Sequence, residues 1–255
     1  MDELSIGMIS FLVSAGFLSA FIDSVVGGGG LISLPAIMMT GVSPVIALGT
    51  NKLASVMGSC TSFIAFIRNG KVDMSIIKYL FPLSFMGSAL GVFTVQLIPP
   101  DFLKPMVVIM LICVTLYSIK KKDWGEESSY TGLNKNRFII AGIVTFLMGF
   151  YDGFFGPGTG SFMLFGFLCL GFNFIGAAAN ARALNFASNI AAVIFFSYLG
   201  LVEFKYAIPM GVGMICGAIA GTQMALKKGS TYVRPLFVFV TTILIGKQLW
   251  DLFKN

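Results

Sequence analysis

The chain has 255 residues, of which 56% are hydrophobic and only 11% are charged, and its formal net charge is +6. Soluble domains carry about 25% charged residues, so this composition excludes an ordinary soluble protein. Apolar runs of about 20 residues, which is enough to cross a bilayer, recur from end to end. We therefore predict an all-α, multi-pass integral protein of the cell membrane. Most of its basic residues lie in short loops between apolar runs, so we expect membrane lipid around it and no nucleic-acid partner.

The first apolar segment, 5–26, contains one carboxylate, Asp23, and runs into four consecutive glycines at 27–30. Each glycine costs about 1 kcal/mol relative to alanine in a helix interior, so the helix is predicted to break there. A short helix over 31–39 follows. The same pattern returns later, where Asp152 precedes a second glycine-rich stretch and a short apolar run over 161–170.

The other predicted segments of the first half are 45–67, 76–98 and 102–119, and the stretch 120–137 is a polar loop. The second half repeats the first: at one constant offset Lys52 aligns with Arg182, and Gly87 and Gly91 align with Gly217 and Gly221. So many matches at one spacing indicate an internal duplication. The predicted organisation is a first transmembrane repeat over 1–119, a cytoplasmic loop over 120–137 and a second transmembrane repeat over 138–255.

Loop charge predicts how the repeats are oriented, because Lys and Arg favour the cytoplasmic side. The loop 68–78 has three basic residues and one acid, whereas its counterpart in the second half has one of each. The next loop reverses this bias, with one base and one acid in the first half and three bases in the second. The bias therefore changes sides between the repeats, as inverted repeats require.

Inversion requires an odd number of crossings in each half, whereas each half has four long segments and one short one. Counting the short segments as crossings gives a five-plus-five arrangement, with about eight long segments and two short ones. The alternative is that the short segments are re-entrant half-helices, because nine or ten helical residues span only about 15 Å. The sequence leaves these alternatives open.

Four charged residues lie within apolar segments, where each costs roughly 3 kcal/mol or more at mid-depth. They are two acids, Asp23 and Asp152, and two bases, Lys52 and Arg182. One interpretation is purely structural: Asp23 pairs with Lys52 and Asp152 pairs with Arg182, and the pairs only hold helices together. The other interpretation is a substrate site at the interface of the repeats, where inverted-repeat transporters place theirs.

The glycine breaks favour a substrate site, because a helix that starts after a break presents free N–H groups and a positive dipole end, which bind anions. The expected substrate is therefore a small anion. The predicted substrate-binding residues are Lys52, Arg182, Asn51, Asn180, Asn185, Gly28, Gly29, Gly30, Gly158 and Gly160. Since the chain has no histidine, Asp23 and Asp152 are the predicted proton-coupling groups.

Other classes of function have less support. The glycine runs lack the GK[ST] ending of a P-loop and are not a GxGxxG motif. The chain lacks histidine and a nucleophile motif, so we expect no catalytic residue, no metal, no cofactor and no enzyme activity. A passive anion channel is the main alternative to a transporter. A purely structural membrane protein would not need paired buried charges. The sequence does not decide whether the protein forms a homodimer.

Several of these motifs resemble one known family, the TauE/SafE sulfite-exporter-like permeases. The resemblance covers essentially the whole chain and rests on the stretch DSVVGGGG with Pro35, on 49–52, on 149–160 and on 181–189. It implies secondary transport of a small sulfur-containing or organic anion, such as sulfite or a sulfonate. The chain departs from the commoner family pattern at Thr159 and at 180–182, and the motifs mark the scaffold more than the ligand.

Overall fold

The computed structural model describes residues 4–95, 97, 127–132 and 134–229, with a few single positions between 232 and 246. Every regular element in these ranges is a helix, which confirms the predicted all-α class. The helices are α1 (Ile6–Val26), α2 (Gly30–Met38), α3 (Pro44–Arg68), α4 (Met74–Thr94), α5 (Lys135–Phe154), α6 (Thr159–Cys169), α7 (Phe174–Tyr198) and α8 (Phe204–Lys228). The predicted segment 102–119 lies outside the described residues.

Side-chain caps set where several helices begin. Ser5 accepts a hydrogen bond from the Met8 N–H at the start of α1, and Asn173 accepts one from the Gly176 N–H at the start of α7. Asn134 does the same for the Arg137 N–H, so α5 begins inside the stretch that was predicted as loop. Each such cap stabilises its helix by about 1 kcal/mol.

Both predicted helix breaks are present. The α1 helix ends at Gly27, whose φ of +81° and ψ of 178° belong to a region that only glycine occupies readily. In the second break Gly156 and Gly158 have φ values of +93° and +87°. The helices that follow, α2 and α6, have 9 and 11 residues. At 1.5 Å per residue they are about 14 and 16 Å long, roughly half the hydrocarbon thickness of a bilayer.

Among the described helices, four are long and apolar enough to cross a membrane by length and composition, namely α1, α4, α5 and α8. The more polar α3 and α7 carry the buried bases and contact each other, with α1 and α8 on one side and α4 and α5 on the other. The chain is therefore an integral membrane protein whose apolar helices flank a polar centre.

Glycines let helices of opposite halves touch through their backbones. A Cβ atom at Gly217 of α8 would lie 2.1 Å from the Phe17 carbonyl oxygen of α1. At its counterpart Gly87 of α4 it would lie 2.2 Å from the Phe146 carbonyl oxygen of α5. Small residues at helix interfaces allow this close approach in membranes. Glycines that the duplication pairs in sequence thus occupy corresponding interfaces in the fold.

The two central helices, α3 and α7, run in opposite directions where they pack. Gly49, early in α3, lies next to Phe196, late in α7, whereas Asp73 just beyond α3 bonds to Asn180, early in α7. An inverted duplication requires this relation between equivalent helices. The inverted orientation in the membrane stays a prediction.

One end of the bundle collects most of the described basic residues. The loop residue Ser129 donates its N–H to Gly171 at 2.8 Å, and Tyr130 stacks on Phe172. Burial and the nearby charge of Asp73 raise the pKa of Tyr130, so this loop lies close to the turn after α3. The basic residues at this end are Arg68, Lys71, Lys78, Lys135, Arg137, Lys227 and Lys228. By the positive-inside rule, we expect this end to be cytoplasmic.

Cysteine labelling in intact cells will test this orientation. In a variant without the four native cysteines, Ser128→Cys should resist a membrane-impermeant thiol reagent until the cells are opened. The matched variant Ser197→Cys, at the exposed end of α7, should react from outside. Labelling of Ser128→Cys from outside would reverse the proposed orientation.

Candidate functional site

The two helix breaks meet at the centre of the bundle. A Cβ atom at Gly27 would lie 2.2 Å from the Ser161 nitrogen and 2.3 Å from the Gly160 carbonyl carbon. The Ser161 hydroxyl donates a hydrogen bond of 3.2 Å to the Val26 carbonyl oxygen. The two short helices therefore start beside each other, because each break lacks the side chains that would keep them apart.

Two buried ion pairs flank these breaks, and both join opposite halves of the chain. Lys52 Nζ lies 2.9 Å from Asp152 Oδ1, and Arg182 Nη1 contacts Asp23 Oδ2. The predicted pairing of Asp23 with Lys52 and of Asp152 with Arg182 is therefore wrong. Because the breaks of the two halves pack against each other, each acid faces the base of the other half.

The Asp152 carboxylate lies in a dense polar network. Its Oδ2 accepts hydrogen bonds from the Ser188 hydroxyl at 2.6 Å and from the Asn185 amide at 3.5 Å. Its partner Lys52 also donates to Asn189 Oδ1 at 3.3 Å. The side chains of Lys52 and Asp152 are only 4% and 3% exposed. A buried ion pair is tolerated when further hydrogen bonds satisfy its remaining polar atoms, as they do here.

The Asp23 carboxylate is more open. Besides Arg182, it accepts a hydrogen bond of 3.1 Å from the Gly29 N–H, and its side chain is 25% exposed. Arg182 Nη1 also donates to Asn185 Oδ1 at 3.3 Å. Arg182 Nη2 is fully buried and has no hydrogen-bond acceptor among the described residues. The two ion pairs, equivalent in sequence, therefore differ in their surroundings.

A small polar cavity lies between the breaks, with a volume of about 30 Å³ for the centres of water-sized molecules. Nine of the predicted site residues line it, including both aspartates and Lys52. The lining residues are Asp23, Gly28, Gly30, Asn51, Lys52, Ser55, Asp152, Gly156, Gly158, Gly160, Asn185 and Asn189. The cavity is large enough for one or two water molecules.

Three predicted site residues do not line this cavity. Gly29 supplies the N–H that Asp23 accepts. Arg182 lies behind Gly160, where a Cβ atom would come within 2.3 Å of Nη2. Asn180 accepts the Asp73 N–H at 2.9 Å, just as Thr50, its counterpart in the first half, accepts the Glu203 N–H at 2.9 Å. Asn180 and Thr50 thus hold the turn before the last described helix of the opposite half.

The site prediction missed Ser55, Asn189 and Gly156. A signal for two of them was present in the sequence, because the constant offset pairs Ser55 with Asn185 and Ser59 with Asn189. These positions also recur on one face of each central helix. Gly156 leaves space for the ion pair, since a Cβ atom there would lie 2.8 Å from Lys52 Nζ.

Comparison with known proteins points to one family. The family model described as "Sulfite exporter TauE/SafE" matches residues 12–247. A "Probable membrane transporter protein" of Haemophilus influenzae is 37% identical over 98% of this chain and 97% of that protein. The "Probable membrane transporter protein YfcA" of Escherichia coli K12 is 39% identical over 98% of this chain and 92% of that protein. The "Probable membrane transporter protein ORF9" of Sinorhizobium is 37% identical over 98% of this chain and 96% of that protein.

No solved structure matches the chain. The family match spans both helix breaks and both buried ion pairs, and it agrees with the resemblance that the sequence motifs indicate. The chain belongs to the sulfite exporter TauE/SafE family and is a membrane transporter.

Proposed function

We propose that the protein is a proton-coupled secondary transporter of a small anion, in the class of sulfite, sulfonates and related organic anions. One observation carries the proposal: the cavity that Lys52 and both aspartates line lies where two half-helices begin. The family model is that of sulfite exporters, which agrees with an oxyanion substrate.

The charges around the cavity favour an anion. The formal charges of the two aspartates and the two bases sum to zero, so the helix ends determine the sign of the electrostatic potential in the cavity. Each helix N-terminus is equivalent to roughly half a positive charge, which leaves about one positive charge from α2 and α6 together. The N–H groups of Gly28, Gly30 and Gly160 have no acceptor among the described residues and are free to bind a ligand.

The size of the cavity supports a transporter more than an open channel. A volume of about 30 Å³ holds water but not a sulfonate, so the substrate enters only after the helices rearrange. The glycine breaks are the natural place for this movement, because glycine tolerates large changes of backbone angle. Alternating access around a central site requires such a closed state.

Coupling to protons follows from the ion pairs. Both bases are already neutralised by an aspartate, so an incoming anion competes with a carboxylate for the base. Protonation of an aspartate releases its base and favours anion binding. A proton and an anion then move together. The sequence has no ATPase motif, so the proton gradient is the energy source for uphill transport.

The alternative is a passive anion channel or facilitator. Proteoliposomes with an imposed pH gradient separate the two, because only a coupled transporter accumulates the anion above its external concentration. Accumulation driven by the proton gradient supports the transporter. Equilibration alone, at every pH gradient, would establish the channel.

Lys52→Met should weaken anion binding by roughly 10- to 100-fold, the effect of losing one charge-assisted hydrogen bond. Arg182→Met should weaken binding chiefly at acidic pH, because Arg182 becomes available only when Asp23 is protonated. Thermal-shift titrations of the purified protein with sulfite, sulfate, thiosulfate, sulfonates and carboxylates measure this, since a ligand of the native state raises Tm.

The control is Lys78→Met, which removes an exposed lysine far from the cavity and should leave the anion-dependent rise in Tm unchanged. The Tm without anion reports any loss of stability separately. If Lys52→Met lowers that Tm but keeps the wild-type affinity, the ion pair is structural and the site assignment is wrong.

A further inference from the structure

The two central carboxylates differ in how firmly they are held as anions. The Asp152 carboxylate forms an ion pair with Lys52 and accepts hydrogen bonds from the Ser188 hydroxyl and the Asn185 amide. Its side chain is 3% exposed. Each of these donors stabilises the charged form of a carboxylate. Protonating Asp152 would remove the partner charge of Lys52 and weaken these hydrogen bonds at a side chain that is only 3% exposed.

Asp23 lacks this network. The position equivalent to Ser188 is Gly58, which provides no hydroxyl. Arg182 on α7 is the one charged group in direct contact with Asp23 among the described residues, and Lys52 and Asp152 face it across the central cavity. The elements packed around it otherwise contribute neutral groups, from Ser55 and Ser59 of α3 to Met214 of α8.

A second cavity adjoins Asp23, and Lys52 is not among the residues that line it. Its volume is about 20 Å³ for the centres of water-sized molecules, enough for one water. Four serines line it together with Asp23, namely Ser19, Ser55, Ser59 and Ser62. Ser62 is only 2% exposed. This serine cavity is a polar space whose chemistry suits a proton-donating water beside Asp23.

Arg182 is placed to respond when Asp23 changes its charge. Nη2 has no acceptor among the described residues, and Nη1 is held by Asp23 and Asn185. Gly160, which lines the central cavity, lies next to Nη2, since a Cβ atom there would lie 2.3 Å from Nη2 and 3.0 Å from Asp23 Oδ1. Once Nη1 is released, the guanidinium offers two parallel donors, the geometry that binds an oxyanion in a bidentate way.

We propose that Asp23 alone takes up and releases the coupling proton, through the serine cavity, and that Asp152 remains ionised throughout the transport cycle. A hydronium ion in the serine cavity gives its proton to an Asp23 oxygen, an O–H bond forms, and water remains. The Asp23–Arg182 ion pair is then lost, and the freed guanidinium binds the anion that enters past Gly160. This inference rests on the proposed function and assigns one proton to each cycle.

Infrared spectroscopy of the purified full-length protein tests the assignment without any transport assay. All eleven Asp and Glu side chains contribute to the carboxylic-acid C=O band as the pH falls, so each variant is compared with the wild type in difference spectra. Asp23→Asn should lose the component that belongs to one buried acid, whereas Asp152→Asn should keep that component. Persistence of the component in Asp23→Asn, or its loss in Asp152→Asn, overturns the proposal.

Gly58→Ser provides a second test if the asparagine variants do not fold, because this substitution keeps every charged residue. The new Cβ would lie 3.2 Å from Met214 Cβ, a contact that a small shift of the methionine relieves. The added hydroxyl should stabilise the ionised carboxylate of Asp23 and lower the midpoint of the infrared titration by about one pH unit. The control is Gly166→Ser, whose Cβ meets nothing within 4 Å and which should leave the midpoint unchanged.

An unchanged midpoint in Gly58→Ser also overturns the proposal. The proton site and the transport function can be refuted separately. A band that depends on Asp23 in a protein without anion flux refutes the transport function but keeps the proton site. Proton-driven anion flux with a band that does not depend on Asp23 refutes the proton site but keeps the function.

Discussion

Replacing Gly27 with alanine is expected to prevent the two halves of the protein from packing together. The new Cβ would lie 2.2 Å from the Ser161 nitrogen and 2.3 Å from the Gly160 carbonyl carbon, and neither backbone atom can move without displacing the start of α6. The φ of +81° adds a strain of about 1–3 kcal/mol for any residue other than glycine. We expect no folded Gly27→Ala protein in detergent extracts analysed by size-exclusion chromatography.

Gly41→Ala is the matched control for this substitution. Gly41 has a φ of +85°, close to that of Gly27, but a Cβ atom there would meet nothing within 4 Å. This variant should therefore fold, with a lower Tm that reflects only the backbone strain. If Gly27→Ala gives the same yield and Tm as Gly41→Ala, the close backbone contact between Gly27 and the start of α6 is wrong.

The helix breaks could be predicted because glycine acts locally. A run of four glycines opposes a continuous helix whatever surrounds it, so the end of α1 and the start of α2 fall within one residue of their predicted places. The same reasoning identified Asp23 and Asp152 as functionally important acids, since a charged residue in an apolar segment is costly unless it meets a partner or a polar cavity. These inferences need only the residues next to one another in the chain.

The pairing of the charges could not be predicted in this way. Asp23 and Lys52 are close in sequence, whereas Asp23 and Arg182 meet only because α1 and α7 belong to halves that pack across their breaks. The duplication showed that the halves are alike but not which faces of them touch. The aligned positions also concealed a difference, because Ser188 and Gly58 occupy equivalent positions and only one of them can hold a carboxylate.

Asn180 shows a second limit of sequence reasoning. A polar side chain two residues before a buried base suggested a ligand for the substrate. In the fold one helical turn carries the two residues to different neighbours, and the Asn180 amide holds the turn before α4 instead. Helical spacing places a residue on a face of its own helix, and only the packing decides what that face meets.

Asp23→Asn should abolish proton-driven accumulation of the anion while leaving anion exchange in place. The amide is neutral and nearly the same shape as the protonated acid, and its oxygen can still accept a hydrogen bond from Arg182. The variant should therefore behave as if permanently protonated, able to bind and exchange the anion but unable to carry a proton back. In proteoliposomes with an acidic exterior and labelled anion, we expect accumulation to fall to the level of passive equilibration and the pH dependence of exchange to disappear.

The comparison with Asp152→Asn distinguishes three roles for the two aspartates. If both aspartates merely neutralise a base, the two variants should lose stability and keep their pH dependence alike. If both couple protons, each should lose part of the uphill flux. The different surroundings of the two carboxylates predict a third result: Asp152→Asn lowers the Tm, because Lys52 loses its buried partner, yet the protein that folds still accumulates anion with a pH gradient. Unchanged pH dependence in Asp23→Asn would remove Asp23 from the mechanism, and proton coupling would then have to run through a group other than Asp23.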